Sequence, residues 1–166
     1  VKALIRTAEQ KGYRMQVLEA VEAVNERQKG ILYEKFEREF DGEVAGRCVA
    51  MWGLSFKPET DDMREAPSLV LIDRLLSAGC RVRVFDPIAM DEARRRLGDK
   101  VEYCESKYEA LEGADALMIV TEWKQFRLPN WVRVAEAMKG GVVIDGRNIY
   151  ERHEVEAAGL KYLRIG

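Results

Sequence analysis

Histidine is nearly missing from this chain: His153 is the only one in 166 residues. It lies between Glu151 and Glu154 in a helical stretch and reads as a surface side chain. No Ser-His-Asp or Cys-His set can be assembled around it. Cysteine is scarce too. Cys48, Cys80 and Cys104 are odd in number and lack CxxC spacing, which argues against a disulfide framework or a zinc site. Cys48 and Cys80 stand at expected strand entrances, where thiols behave as small buried hydrophobes. No apolar run approaches the ~20 residues that span a bilayer, and no secretory leader pattern is legible. An excess of one charge is also absent. The net charge of −2 gives no reason to expect a nucleic-acid or membrane partner. Together these absences point to a cytoplasmic protein without a metal centre.

What is present is enough apolar material, 47% of the residues, for a substantial core. The chain opens at Val1 directly into a helical pattern with no cap, so it is expected to be part of a longer protein. Residues from Val1 to Gln28 read as helical, with Leu4, Ile5 and Ala8 in one stripe and Val17, Leu18, Val21 and Val24 in another. Gly12 and Tyr13 interrupt the pattern. After Gly30, Ile31, Tyr33, Phe36 and Phe40 suggest a further helix ending at Asp41-Gly42. Such an arm needs a cover for its stripe, either its own domain or a second subunit.

From Gly46 onward, strands alternate with helices. Strands are expected at Arg47–Gly53, Arg81–Asp86, Val101–Tyr103, Ala116–Val120 and Val142–Asp145, with a last one at Tyr162-Leu163. Helices are expected at Pro67–Ala78, from Pro87 to Leu97, at Lys107–Leu111, from Pro129 to Met138 and at Glu151–Ala158. This repeat predicts an α/β, Rossmann-like, doubly wound parallel sheet. The expected division is a helical segment over residues 1–42 and a sheet domain over 43–166.

The stretch from Gly53 to Pro67 is where ligand chemistry is expected, because open α/β sheets bind ligands at the carboxyl ends of their strands. It lacks the GxGxxG fingerprint: Leu54-Ser55-Phe56-Lys57-Pro58 is too bulky for a close pyrophosphate approach. Phe56 beside Lys57 suits a nucleotide, ring against base or sugar and ammonium against oxyanion; the plainer alternative is an exposed loop lysine. Arg64 admits a structural role, pairing with Asp61 beside an Asp62-x-x-Glu65 capping box. Pro67 prefers the first helical position, so one of these two start signals must give way. Asp86, before Pro87, reads as a turn or cap residue rather than a ribose-binding acid. Arg147, in Asp145-Gly146-Arg147-Asn148, offers a planar fork for phosphate or carboxylate on the same sheet edge. Trp123 reads as a packing residue and Arg94-Arg95-Arg96 as a solvated helix face.

The run Gly53-Leu54-Ser55-Phe56-Lys57-Pro58-Glu59-Thr60-Asp61-Asp62-Met63-Arg64-Glu65 carries a family resemblance. With Phe85-Asp86-Pro87, Thr121-Glu122-Trp123, Asp145-Gly146-Arg147-Asn148 and Val24-Asn25-Glu26-Arg27-Gln28-Lys29, it resembles the central helix and C-terminal domain of UDP-glucose and GDP-mannose dehydrogenases. The resemblance implies NAD-dependent oxidation of UDP-glucose to UDP-glucuronate in two hydride transfers through cysteine-bound intermediates. GDP-mannose or UDP-N-acetylmannosamine is the alternative substrate, and a non-catalytic nucleotide-binding dimerisation module is the rival from another class. It further implies substrate contacts at Phe56, Lys57 and Arg147, a cofactor contact at Arg64, and a homodimer formed through the helical arm. The family's cysteine motif and NAD-binding glycines have no counterpart here. The resemblance therefore implies no catalytic residue in this chain, inactivity when alone, and NAD held mainly by a domain the chain does not contain.

Overall fold

Strand β1 (Cys48–Trp52) is buried at all five positions, and the sheet is laid out around it in the computed structural model, which describes residues 1–165. β1 lies between β2 (Arg81–Phe85) and β4 (Ala116–Ile119). Beyond β2 runs the short β3 (Glu102–Tyr103); beyond β4 run β5 (Val142–Asp145) and β6 (Lys161–Arg164). The order is β3-β2-β1-β4-β5-β6, with every adjacent pair parallel. The order reverses between β1 and β4, the crevice where doubly wound sheets receive ligands. Trp52 stands opposite Phe85 and Ile119, and Ile119 opposite Asp145, so four strand exits share one edge.

Both faces of the sheet are covered, which is why β1, β4 and β5 read as unbroken apolar runs. Val49, Met51, Met118 and Ile144 face α3 (Ile31–Glu39), α4 (Pro67–Ser77) and α5 (Met90–Leu97), where Leu32, Phe36, Leu71 and Leu75 complete one core. Ala50, Trp52, Leu117 and Val143 face the other way. They meet Phe126, Val134, Val155 and Tyr162 under α6 (Trp131–Ala137) and α7 (Arg152–Ala157). Trp52 stacks on Phe126 with ring centroids 5.2 Å apart.

The N-terminal helical stretch is two helices, α1 (Lys2–Gln10) and α2 (Gln16–Lys29), and the interruption at Gly12 is a chain reversal at φ +71°. The Lys2 ammonium lies 3.3 Å from Glu22 and 3.0 Å from Glu26, so the pair is antiparallel. Neither helix buries a residue, and Val17, Val21 and Val24 remain exposed.

Several expected boundaries shift. The region before α4 contains no capping box: Pro67 occupies the first turn of α4 after Ala66, and Glu65 adopts φ +59°, outside any helix. Pro won because its fixed φ and missing N–H suit the first helical position. The sixth helix begins at Trp131 rather than Pro129, because Asn130 caps it by accepting from the Arg133 N–H at 3.1 Å. The helix after Asp86-Pro87 begins only at Met90, and residues Glu109–Leu111 form a 3₁₀ turn in place of the helix expected from Lys107.

Gly53 ends β1 at φ +91°, and a Cβ there would stand 2.5 Å from Thr121 Cβ and 2.6 Å from its backbone nitrogen. Gly53→Ala is therefore expected to destabilise the chain by about 2–3 kcal/mol, through left-handed strain and the clash together. A urea titration reads this as a lowered midpoint; an unchanged midpoint would contradict the close approach of the β1 and β4 exits.

Candidate functional site

The loop leaving β1 is held from below by one carboxylate. Asp86 is buried at the end of β2, and its Oδ2 accepts from the Leu54 N–H at 2.7 Å, the Ser55 N–H at 3.3 Å and the Trp123 indole at 3.1 Å. Its Oδ1 accepts from the N–H groups of Ile88 and Ala89 at 2.9 and 2.8 Å. These last two bonds make Asp86 the turn residue its sequence context suggests. The other three tie the exits of β1, β2 and β4 together. Thr121 Oγ1 adds a bond to Ser55 O at 2.6 Å.

Above this anchor, Phe56 is 38% exposed and the Lys57 ammonium lies 5.1 Å from its ring centroid. Lys57 is exposed and makes no ion pair among the described residues. Arg64 is exposed too. Its guanidinium pairs with Asp62 at 2.7 Å, not with Asp61, and its backbone N–H donates to the same carboxylate at 2.9 Å. The guanidinium bonds, followed by the backbone bond, lower the Asp62 pKa to about 2. Arg64 is thus presented at the surface on a short local tether.

A second carboxylate organises the β5 exit. Asp145 is fully buried and accepts from the Arg147 N–H at 2.8 Å, the Ile149 N–H at 2.8 Å and the Tyr162 hydroxyl at 2.8 Å. Burial first, and then the bond to Asp145, raises the Tyr162 pKa. The Arg147 side chain, 28% exposed, donates from Nε to Val120 O at 2.6 Å, with Glu122 Oε2 3.1 Å from the same nitrogen. Its two terminal nitrogens have no protein partner among the described residues. Gly146 is required beside it, since a Cβ would fall 2.7 Å from Leu32 Cδ1 and 2.8 Å from Ile119 O. That glycine lets α3 press onto the sheet edge.

Arg147 opens into a cavity of about 360 Å³, floored by Leu32, Leu71 and Val120 and walled by Asn25, Gln28 and Lys29 of α2. Among the described residues no acidic side chain lines it. Phe56 borders a second cavity, about 680 Å³, shared with Lys2, Glu22 and Glu65. Asn25 and Lys29 line both cavities, so the two meet at the end of α2. The structure therefore links Phe56 to Arg147 through the helical arm, while Lys57 and Arg64 lie outside both cavities on the same edge. Sequence reasoning singled out none of the three α2 residues as ligand-facing. The available signal was a polar Asn-Glu-Arg-Gln-Lys run closing an otherwise apolar stripe.

Residues 50–152 match the description of the UDP-glucose/GDP-mannose dehydrogenase family, UDP binding domain. The chain belongs to this family. Across its whole length it is 49% identical to a UDP-glucose 6-dehydrogenase of Pseudomonas aeruginosa, of which it covers 38%. It is 40% identical to the UDP-glucose 6-dehydrogenase TuaD of Bacillus subtilis, with 99% of this chain and 35% of that protein aligned. Among solved structures, it superposes on a UDP-glucose dehydrogenase from the hyperthermophilic archaeon Pyrobaculum islandicum with a TM-score of 0.80 and 36% identity. That alignment covers 99% of this chain and 35% of the other. The chain thus spans little more than a third of the length of these family members. The match takes in the motif from Phe56 to Glu65 and the Arg147 loop. No group of side chains that could hold a metal occurs among the described residues, and no helix among them is long and apolar enough to cross a membrane.

Proposed function

We propose that the chain is the C-terminal, substrate-binding and dimerisation portion of an NAD-dependent UDP-glucose 6-dehydrogenase of the cytoplasm. In this reading residues 43–166 are the UDP-sugar-binding domain and residues 1–42 the arm that pairs two subunits. The observation that carries it is the Arg147 cavity: a guanidinium paired through Nε with Glu122, its two terminal nitrogens without a partner among the described residues, faces a space whose described lining is an apolar floor, two amides and Lys29. Such a fork suits the oxygens of a nucleoside diphosphate. Phe56 supplies a ring for base or sugar, and Lys57 adds positive charge at the rim. Arg64 reaches the cofactor from its Asp62 tether. NAD, held mainly outside this chain, would accept the hydrides.

The chain's own thiols are unsuited to nucleophilic work. Cys48, Cys80 and Cys104 are all buried, and burial raises the pKa of each, to about 11 for Cys80 and Cys104. No catalytic residue is assigned here, and the chain alone is expected to be inactive. The exposed Val17, Val21 and Val24 stripe on α2 supports the dimer arm, since its own sheet does not cover it.

The test uses the full-length protein and follows NADH formation with UDP-glucose, GDP-mannose and UDP-N-acetylmannosamine in parallel. UDP-glucose is expected to be the preferred substrate, with two NADH formed per sugar, and the 166-residue chain alone should give none. Preference for another sugar would move the protein to that branch of the family. No NADH from any of them would contradict the enzymatic reading and favour a nucleotide-binding module.

A further inference from the structure

The end of α2 places a lysine at the junction of the two cavities. The Lys29 side chain is only 15% exposed, and its ammonium lies 2.8 Å from Glu26 and 3.0 Å from Glu65. Burial acts to lower its pKa, but the bonds it donates to Glu26 and Glu65 outweigh it and the pKa is raised. An ammonium has three donors. Among the described residues two are used, which leaves one N–H of a largely buried cation unassigned beside the Arg147 cavity.

Its carboxylate partners are also shared. Lys2 contacts both Glu26 and Glu65, so neither acid would be left without a cation if Lys29 turned toward a ligand. Glu65 belongs to the loop after β1, and its pairing with Lys29 spans 36 residues of sequence. The acids stand in or near the Phe56 cavity, whereas Lys29 and Arg147 are the charged side chains that line the Arg147 cavity among the described residues.

We propose that Lys29 is a second anion-binding residue of the Arg147 cavity, giving its free N–H to a diphosphate oxygen while Glu65 and Glu26 hold it in place. This rests on the UDP-sugar reading of that cavity and adds a ligand contact from the arm. An arm that touches the ligand couples substrate binding to the element proposed to pair the subunits.

The test is calorimetric titration of the full-length protein with UDP and with uridine, which lacks the phosphates. Lys29→Met, which keeps the apolar stem, is expected to weaken UDP about tenfold and uridine less than twofold, and Lys29→Arg to recover most of the loss. Glu65→Gln leaves the lysine in place and removes a competing negative charge, so UDP should tighten about threefold. Equal losses for UDP and uridine in Lys29→Met would assign Lys29 a merely structural role and overturn the proposal. So would unchanged UDP affinity in that variant, or weaker UDP binding in Glu65→Gln should Lys29→Met not fold. A wild-type protein that binds neither UDP nor uridine overturns the underlying site reading as well. Wild-type UDP binding that is indifferent to Lys29 overturns this inference alone.

Discussion

Arg147→Ala in the full-length protein is expected to raise the KM for UDP-glucose about 100-fold with little change in kcat. The magnitude follows from losing two charge-assisted hydrogen bonds to one anion, about 3 kcal/mol in all. The kinetic signature follows from geometry. In the proposed reading Arg147 holds a diphosphate that does not react, so it would stabilise ground and transition states alike, and such losses fall on KM. Local collapse is not expected to account for the loss. The loop is fixed by its backbone, through the Arg147 N–H on Asp145 and the Asn148 side chain on Ile165 O at 3.0 Å. Arg147→Lys should recover only part, since an ammonium cannot form the parallel pair. Lys57→Ala should cost less, about 1 kcal/mol, because Lys57 is exposed at the rim and screened by solvent. Steady-state kinetics on the three variants would decide. A loss confined to kcat in Arg147→Ala would place the arginine at the reacting carbon instead.

Asp86→Ala is expected to destabilise the chain by about 3–5 kcal/mol, the cost of removing a charged partner from a buried, fully hydrogen-bonded site. Five donors would lose their acceptor at once: the N–H groups of Leu54, Ser55, Ile88 and Ala89 and the Trp123 indole. Those donors belong to three strand exits, so the damage should concentrate where Phe56 and Thr121 are positioned. Asp86→Asn keeps one acceptor oxygen and should cost less. Urea denaturation gives the stabilities, and amide exchange at Leu54 and Ser55 tells whether the loop opens first. A variant as stable as the parent would show that Asp86 does not anchor the edge.

Buried Asp86 also marks how far the sequence could be read. The bonds from Asp86 to Ile88 and Ala89 are local, and Asp-Pro at a strand end announces them. Its bonds to Leu54 and Trp123 depend on β1, β2 and β4 lying side by side, which no local pattern encodes. Strand identities were legible because burial on both faces makes β1, β4 and β5 continuously apolar. The reversal between α1 and α2 was visible only as an interruption, and the pairing of Lys2 with Glu22 and Glu26 across it joins residues 20 and more positions apart, which no local pattern encodes.

The candidate site divides in the same way. Phe56 and Arg147 follow from strand exits, where a parallel sheet gathers its loops. Lys29 does not. A lysine in the last turn of a helix is expected from the helix dipole alone. Its placement against Glu65 and beside the Arg147 cavity appears only once α2 is folded over the sheet edge. Pro67 against the apparent Asp62–Glu65 capping box shows a further limit. Two local signals competed, and the proline prevailed because its ring fixes the backbone whatever the neighbouring side chains favour.

The most direct test of the account is a crystal structure of the full-length protein with UDP-glucose bound. The account predicts the diphosphate in the cavity between α2 and the β4 and β5 exits, with a phosphate oxygen in hydrogen-bond distance of the terminal nitrogens of Arg147. A nucleotide sugar bound elsewhere, with that cavity empty and the Arg147 fork still unengaged, would contradict it.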